Sequence, residues 1–460
     1  VMTDPVAIPL WLFLLLLIVT AVAVLDRVLI HSTRLLIRRR VNRLIDDIGS
    51  RLDIEIRPFQ LTKRRVLIDR LIYDTEVIEA INRQSRKREV PREVLQAEVA
   101  AYAREIVPSF NAYLYFRTGY WLAKKIARLL YRVRVGLIDD RNISEIDADS
   151  TVVFVMNHRS NMDYILVAFL AAERTTLSYA VGEWARIWPL QTMVRSLGAF
   201  FVRRNSKNPL YRKVLERYVH MATKEGVCQA VFPEGGLSRD GHLRKPKYGI
   251  IDYMLRSFDP QADRDIVFIP VGLNYDRTLE DRSLLRSLDP TAEKRSIWFI
   301  GRTMLRLIRK LIWLIITSRW QRFGYACVNF GAYVSMRQYC RRHNVDFAHL
   351  QRPERFDEVK KISDQLMQSI ERLIPVLPLS LVAAVFLRYP QKPLSAFEVE
   401  RHANRIIDEI QTEGAPVFST TRSRGQNLLA GLQMLAIRRL IVEQDGKYTA
   451  DPNSLDVLAY

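Results

Sequence analysis

Cysteine is scarce in this chain of 460 residues, which contains only Cys228, Cys327 and Cys340. An odd number of cysteines without a C-x-x-C pair argues against a disulfide framework and against a zinc site, and it fits a reducing cytoplasmic interior. The sequence also lacks a Walker loop, an H-E-x-x-H motif, internal repeats and low-complexity tracts. These absences exclude a P-loop nucleotidase, a zincin and a solenoid, and we predict neither a metal nor another cofactor.

Acidic residues are outnumbered by basic ones. The chain has 50 Asp and Glu against 70 Lys and Arg, which gives a formal net charge of +20. Such an excess implies an anionic partner, and the charge alone leaves open nucleic acid, an acidic lipid surface or acidic substrates. A hydrophobic content of 48% with 26% charged residues excludes a disordered chain, and the length gives room for two or three domains.

One long run of the sequence carries no charge. Residues 6–25 lie between Asp4 and Asp26, and at about 1.5 Å per residue they match the thickness of a hydrocarbon core. The run lacks a preceding basic region and is too long for a signal peptide, so we predict a single N-terminal transmembrane helix. Arginines crowd its C-terminal side, which predicts localisation in the cytoplasmic (inner) membrane with the rest of the chain on the cytoplasmic side. An anionic phospholipid membrane is therefore a predicted partner.

A histidine and an aspartate follow a strand-like segment. Residues 152–156 are apolar, as in a buried strand, and run directly into Asn157, His158 and, five residues after the histidine, Asp163. Mid-helix, five residues would rotate the two side chains roughly 140° apart. They meet only if His158 lies in a strand-to-helix turn and Asp163 in the first turn of the helix, with Asn157 or Ser160 as the cap. The carboxylate then takes the Nδ1 proton and leaves Nε2 as a base toward an alcohol, although the spacing alone also fits a polar cap beside a surface histidine.

Three further strand-like segments follow, and the first two end in residues suited to bind an anion. Residues 198–204 end in two arginines, which are suited to bidentate contact with phosphate. Residues 231–239 combine a strand with a glycine-rich turn, a carboxylate and another arginine, and bare backbone amides there favour anion binding. Residues 267–272 form one more core strand. A base, cations and glycine-rich backbone at successive strand ends are what acyl transfer to a phosphorylated alcohol needs.

These four segments resemble, in order and separation, the four motifs of the glycerolipid acyltransferase family. Two details are similar to the glycerol-3-phosphate acyltransferases of the bacterial membrane type: His158-Arg159-Ser160 opens the first motif, and Glu234 precedes two glycines in the third. The lysophosphatidate branch usually has Glu-Gly-Thr at the latter position. Leu237 departs from the pattern, since an arginine is common there, and this puts one substrate cation in doubt.

The resemblance implies a mechanism and a set of site residues. His158 removes the proton from the 1-hydroxyl of glycerol 3-phosphate, Asp163 fixes its tautomer, and the alkoxide attacks an acyl thioester directly to form lysophosphatidate, the first step of phospholipid synthesis. The implied catalytic residues are His158 and Asp163, and the implied substrate-binding residues are Arg159, Arg203, Glu234, Gly235, Gly236, Ser238, Arg239 and Lys247. The acyl donor is acyl-CoA or acyl carrier protein. Lysophosphatidate or dihydroxyacetone phosphate as acceptor stays open, as does a non-enzymatic, membrane-anchored protein that binds lipid or nucleic acid.

The pattern of elements predicts an α/β fold in which helices flank the sheet of an acyltransferase domain. We predict a membrane anchor over residues 1–31, a helical region over 32–141, the catalytic domain over 142–350 and a helical cap over 351–460. Three helices and a hairpin through Asp445-Gly446 make the cap winged-helix-like. Few cations and no base-reading set accompany them, so nucleic acid is not a predicted partner.

Overall fold

The computed structural model describes residues 57–112, 115, 119–138, 146–171, 177–182, 190–203, 206–288, 323–418 and 424–460. The chain from Arg57 to Tyr460 forms one compact unit. The described helices are α1 Pro58–Leu61, α2 Arg64–Ile72, α3 Thr75–Arg88, α4 Arg92–Ile106, α5 Tyr120–Leu130, α6 Met162–Ala171, α7 Leu190–Ser196, α8 Pro209–Lys224, α9 Gly249–Leu255, α10 Asp281–Arg286, α11 Met336–His343, α12 Arg352–Leu373, α13 Pro378–Arg388, α14 Ala396–Thr412, α15 Arg424–Ile437 and α16 Leu455–Ala459. The described strands are β1 Arg132–Ile138, β2 Thr151–Met156, β3 Ser178–Val181, β4 Phe200–Phe201, β5 Gln229–Val231, β6 Ile266–Tyr275, β7 Tyr325–Phe330, β8 Val334–Ser335, β9 Leu394–Ser395, β10 Ile441–Gln444 and β11 Lys447–Ala450.

The predicted membrane localisation is contradicted by these elements. Among the described residues, no helix combines the length and the apolar character needed to cross a membrane. The longest of them, α12, has 22 residues, but it carries many charged residues, such as Arg355 and Lys361. The predicted span at residues 6–25 lies outside the described residues. The prediction of an inner-membrane protein is corrected accordingly.

A mixed sheet forms the centre of the unit. Its strand order is β1-β7-β6-β2-β5-β3-β4, with β8 paired to β6. Strands β2 to β6 run parallel, whereas β7 is antiparallel to β6. Every residue of β6 is buried, as expected for a strand covered on both faces. Because parallel strands end at one edge, the segments that follow β2, β4, β5 and β6 meet there.

Two helical layers cover the sheet. Helix α4 buries Leu95, Val99, Ala103 and Ile106, a helical spacing that makes one apolar face. That face joins a hydrophobic cluster with α2, α3, α8 and one face of β2 and β6. The other face of the sheet packs against α5 and α6. The predicted α/β sheet flanked by helices is confirmed.

The C-terminal region has a separate hydrophobic cluster. Helices α13, α14 and α15 pack with a small antiparallel sheet of order β10-β11-β9. Asp445 and Gly446 both have positive φ, +51° and +71°, as a two-residue type I′ turn requires. The hairpin predicted there is confirmed, whereas the four predicted domain boundaries stay predictions.

Candidate active site

The turn between β2 and α6 brings His158 and Asp163 together. His158 lies in the turn and Asp163 is the second residue of α6, as their spacing required. The Nδ1 atom of His158 is 2.8 Å from Oδ2 of Asp163. The same oxygen accepts hydrogen bonds from the backbone amides of Arg159, at 2.8 Å, and Ser160, at 3.0 Å. The predicted cap is Ser160, whose Oγ accepts from the amide of Met162.

The surroundings of the pair fix its proton arrangement. The hydroxyl of Tyr275 donates to Oδ1 of Asp163 at 2.6 Å, and burial, reinforced by the charge of Asp163, raises the pKa of Tyr275 well above its usual value. Since Tyr275 stays protonated and the carboxylate only accepts, Nδ1 of His158 carries the proton and Nε2 keeps a lone pair. The imidazole is buried against Phe232, with ring centroids 4.2 Å apart, and its Nε2 lies 3.4 Å from the hydroxyl of Tyr164.

The glycine-rich loop after β5 holds the backbone of His158 on both sides. Glu234 accepts the amide proton of His158 at 2.7 Å through Oε1 and that of Arg244 at 3.0 Å through Oε2. The amide of Ser238 donates to the carbonyl of His158 at 2.9 Å. Burial raises the pKa of Glu234, and the two amide hydrogen bonds counter that effect. Glu234 and Ser238 therefore bond the protein itself, and their predicted substrate contacts stay predictions.

The outer part of this loop presents exposed cations. Gly235 has a φ of +66°, and a Cβ atom on it would lie 2.7 Å from Cδ of Lys247, so the lysine stem crosses directly over the glycine. Gly236 is buried behind it. Lys247 and Arg239 are exposed, and neither forms an ion pair within the part of the chain that the structure describes. The exposed cations of this loop also include Arg244 and Lys245, and Arg239 and Lys247 are the two to which the resemblance assigns substrate binding.

Arg203 lies at the same sheet edge but is already paired. It follows β4, three strands from β2, which corresponds to roughly 14 Å at about 4.8 Å per strand. Its Nε and Nη2 donate to the two carboxylate oxygens of Glu105 at 2.8 and 2.6 Å. The rings of Tyr102 and Tyr211 each lie 5.2 Å from its guanidinium carbon. This contact with Glu105 raises the pKa of Arg203, and the pair was not predicted from the sequence.

Arg159 connects the turn between β2 and α6, which comprises residues 157–161 and is called the catalytic turn below, to other parts of the chain. Its guanidinium donates to the carbonyl oxygens of Gly241 and Tyr460 and lies 5.0 Å from the ring of Tyr460. The side chain is half-buried. Arg159 therefore braces the turn, and its predicted role in substrate binding stays a prediction.

Sequence reasoning missed Glu280 and Tyr275 as site residues. Glu280 follows β6, and its carboxylate accepts hydrogen bonds from Ser160 and Asn161 in the catalytic turn. The available signal was topological, because β6 pairs with β2 in parallel and both strands end at the site. Within the described residues, no group of three or more His, Cys, Asp and Glu is arranged to hold a metal ion.

The fold and the site together define an α/β domain with a buried histidine–aspartate pair at the carboxyl edge of its sheet. Residues 137–274 match the Acyltransferase family model, and residues 308–453 match the model of the glycerol-3-phosphate acyltransferase C-terminal region. The chain belongs to the acyltransferase family and carries the C-terminal region of its glycerol-3-phosphate branch. The predicted family is thereby confirmed.

Curated relatives share this region of the chain. A glycerol-3-phosphate acyltransferase of Xanthomonas axonopodis is 30% identical over 72% of this chain and 37% of its own length. One of Pseudomonas aeruginosa is 31% identical over 67% of this chain and 36% of its own length. The chain thus spans well under half the length of these relatives. Among solved structures, the 1-acyl-sn-glycerophosphate (LPA) acyltransferase of Thermotoga maritima aligns with 17% identity and a TM-score of 0.32, over 56% of this chain and 79% of that protein.

Proposed function

We propose that this chain transfers a fatty acyl group from an acyl thioester to the 1-hydroxyl of glycerol 3-phosphate, which forms lysophosphatidate. The observation that carries the proposal is the contact within the buried pair: Nδ1 of His158 lies 2.8 Å from Oδ2 of Asp163, an arrangement that leaves Nε2 with the lone pair of a base. The relatives that bear the name glycerol-3-phosphate acyltransferase support the choice of acceptor. The donor is acyl-CoA or acyl carrier protein.

The proposed reaction proceeds in one ternary complex. Nε2 of His158 takes the hydroxyl proton as the acceptor oxygen forms a bond to the thioester carbonyl carbon. The tetrahedral intermediate then collapses, the carbon–sulfur bond breaks, and the imidazolium returns its proton to the leaving thiolate. Asp163 stabilises the imidazolium between these steps, and its own charge is held by four donors. No cysteine is placed to form an acyl-enzyme, since the described Cys228, Cys327 and Cys340 are buried in the core.

The acceptor phosphate binds to the exposed cations of the loop after β5 in this proposal. Arg239 and Lys247 pay little desolvation cost on meeting a phosphate, because both are already open to solvent. Arg203 contributes more weakly, because Glu105 occupies one edge of its guanidinium. Glu234, Gly235 and Gly236 shape the acceptor pocket indirectly, through the position of this loop.

The C-terminal region serves as a winged-helix-like structural cap in this proposal. The element order helix α13, strand β9, helices α14 and α15, then the β10–β11 hairpin supports that description. A capping box at Ser395 and Glu398 fixes the start of α14. No role in nucleic-acid binding is assigned to it.

A thioester-consumption assay tests the proposal. The purified chain is offered palmitoyl-CoA with glycerol 3-phosphate, lysophosphatidate or dihydroxyacetone phosphate in parallel, and then acyl carrier protein as donor. Turnover with glycerol 3-phosphate supports the assignment. Turnover with lysophosphatidate alone would keep the mechanism and overturn the acceptor, and silence with every pair would overturn the proposed activity.

A further inference from the structure

The segment after β6 connects the catalytic turn to the C-terminal region. We propose that Glu280 is a positioning residue that fixes the Ser160-Asn161 part of the turn, and that the Asp281–Arg438 ion pair makes its position depend on the C-terminal region. This inference rests on the proposed function, and it gives the C-terminal region a part in the reaction through the segment after β6.

The carboxylate of Glu280 is hydrogen-bonded to the turn between β2 and α6. One carboxylate oxygen accepts from Oγ of Ser160 at 2.7 Å, and the other accepts from the backbone amide and side-chain amide of Asn161 at 3.1 and 3.0 Å. Three donors from two adjacent residues hold this part of the chain more tightly than one cap would.

The catalytic pair depends on the peptide groups that Glu280 holds. The amide of Ser160 donates to Oδ2 of Asp163 at 3.0 Å, and that oxygen is the one that accepts from Nδ1 of His158. A displacement of Ser160 therefore removes a donor from the carboxylate of Asp163 and shifts the imidazole of His158 that this carboxylate holds. Ser160 also caps α6 through the amide of Met162, so the start of the helix that carries Asp163 moves with it.

The position of Glu280 depends in turn on the C-terminal region. Arg438, immediately after α15, forms an ion pair with Asp281, and the two side chains are only 10% and 9% exposed. The other end of the segment is fixed by Asp276, which accepts from the amide of Leu379 at the start of α13 at 3.3 Å. Just before it, Asn274 donates to the carbonyl of Pro375 at 2.9 Å. The segment between β6 and α10 is thus attached to the C-terminal region on both sides of Glu280.

The test compares four variants with the full chain. Glu280→Ala removes the acceptor, whereas Glu280→Gln keeps an oxygen for Asn161 and offers Ser160 a donor. Arg438→Met breaks the link to Asp281 with a side chain of similar length. Arg388→Met is the matched control, because Arg388 pairs with Glu409 on the exposed surface of the same region, away from the segment.

The readouts are kcat, the KM of each substrate and amide hydrogen exchange of the peptide that covers residues 157–163. We expect Glu280→Ala to lower kcat by about 10- to 100-fold, which matches the loss of a charged hydrogen-bonded anchor. The KM of glycerol 3-phosphate should change less than about threefold, because the carboxylate of Glu280 is hydrogen-bonded to Ser160 and Asn161 and is not assigned to the substrate. Glu280→Gln should recover most of kcat, and Arg438→Met should lower it by about three- to tenfold.

Amide exchange separates the inference from the proposed function. Exchange in residues 157–163 should accelerate in Glu280→Ala and Arg438→Met and stay unchanged in Arg388→Met. If the wild type transfers no acyl group, the proposed function fails, yet the exchange data still decide whether Glu280 holds the turn. Unchanged exchange and kcat in Glu280→Ala, or an equal effect of Arg388→Met, would overturn the inference. If Arg438→Met does not fold, Asp281→Asn breaks the same link from the other side.

Discussion

The catalytic turn and the loop that faces solvent above it are built in opposite ways. In the turn, His158 and Asp163 are almost fully buried, and both oxygens of Asp163 are occupied by donors. On the loop, Arg239 and Lys247 are exposed and make no ion pair within the described ranges. In the proposed function, the group that transfers the proton is thus fixed before substrate arrives, whereas the cations assigned to the substrate are open to an anion. Preorganisation of this kind removes the reorganisation cost from the chemical step.

Arg203 lies between these two extremes. It is about one third exposed, but Glu105 holds it in a two-point contact and two tyrosine rings flank it. A guanidinium fixed in this way presents its remaining edge in one direction, which suits it to a fixed part of a substrate and not to a first encounter.

Asp163→Asn attacks the fixed region directly and should have a very large effect. An amide offers one acceptor oxygen where the carboxylate serves four donors, so the preferred tautomer of His158 reverses and kcat should fall by about 10³-fold. The measurement is kcat at saturating substrate. Asp346→Asn is the control, because Asp346 makes a 2.8 Å contact with His349 at the surface. Equal activity of the Asp163 variant and the wild type would show that the tautomer is not set by this carboxylate.

Glu234→Ala tests whether the loop or the substrate uses that carboxylate. Its loss leaves the amides of His158 and Arg244 without their acceptor, and kcat should fall by about 10- to 100-fold with a smaller change in the acceptor KM. Glu234→Gln keeps one acceptor oxygen, so its kcat should lie between those of the wild type and Glu234→Ala. A selective rise in the acceptor KM would instead place Glu234 in direct contact with substrate.

Arg239→Ala and Lys247→Ala test whether these exposed cations bind the phosphate of the acceptor. Each should raise the KM of glycerol 3-phosphate by about tenfold at low ionic strength, with kcat nearly unchanged, because the lost contact is a phosphate contact. Added salt should reduce the difference from the wild type. Arg212→Ala is the control and should leave the KM of glycerol 3-phosphate unchanged. Arg212 is an exposed residue of α8 whose side chain donates to the carbonyl of Ser206, just before the helix. A rise in the thioester KM would assign the cation to the donor.

Arg203→Ala should also raise the acceptor KM more than the thioester KM, but by less than Arg239→Ala. Glu105 offsets part of the charge of Arg203, so its net attraction for phosphate is smaller. Steady-state kinetics with each substrate varied in turn measure both constants. A larger rise in the acceptor KM for Arg203→Ala than for Arg239→Ala would show that the paired Arg203 contributes more to phosphate binding than the exposed Arg239.

Asp276 should give a pH dependence of stability with a defined sign. Burial raises its pKa from 3.8 to about 6, and hydrogen bonds from the amides of Tyr325 and Leu379 counter that shift. Because the folded state favours the neutral form, the contribution is fully present below the unfolded pKa and is lost as pH rises through about 6. Between pH 4.5 and 7.5 the wild type should lose about 1 to 3 kcal/mol of unfolding free energy relative to Asp276→Asn. Parallel pH profiles of the two proteins in denaturant titrations would contradict this.

The sequence predicts local features of the site better than long-range ones. The geometry of His158 and Asp163 follows from a strand that runs into a helix, and the Asp445-Gly446 turn follows from residues that tolerate positive φ. Glu280 carries no such signal, because its partners Ser160 and Asn161 lie about 120 residues earlier.

Contacts between residues far apart in the chain could not be predicted from the sequence. The contact of Arg203 with Glu105 joins residues 98 positions apart. The sequence therefore does not show that this arginine, which is suited to bind phosphate, already has a carboxylate partner. The hydrogen bond from the His158 amide to Glu234 likewise depends on how β2 and β5 pair, which the sequence does not show. The membrane prediction rests on the uncharged run of residues 6–25, and the described helices do not support it.

The most direct test of the account compares two histidines that each contact an aspartate at 2.8 Å. His158 is buried beside Asp163, whereas the side chain of His349 is 84% exposed beside Asp346. Acyl transfer from palmitoyl-CoA or acyl carrier protein to glycerol 3-phosphate is measured for His158→Ala and His349→Ala. The account predicts a loss of about 10³-fold or more in kcat for His158→Ala and wild-type turnover for His349→Ala. Near wild-type turnover in His158→Ala would contradict the general-base site.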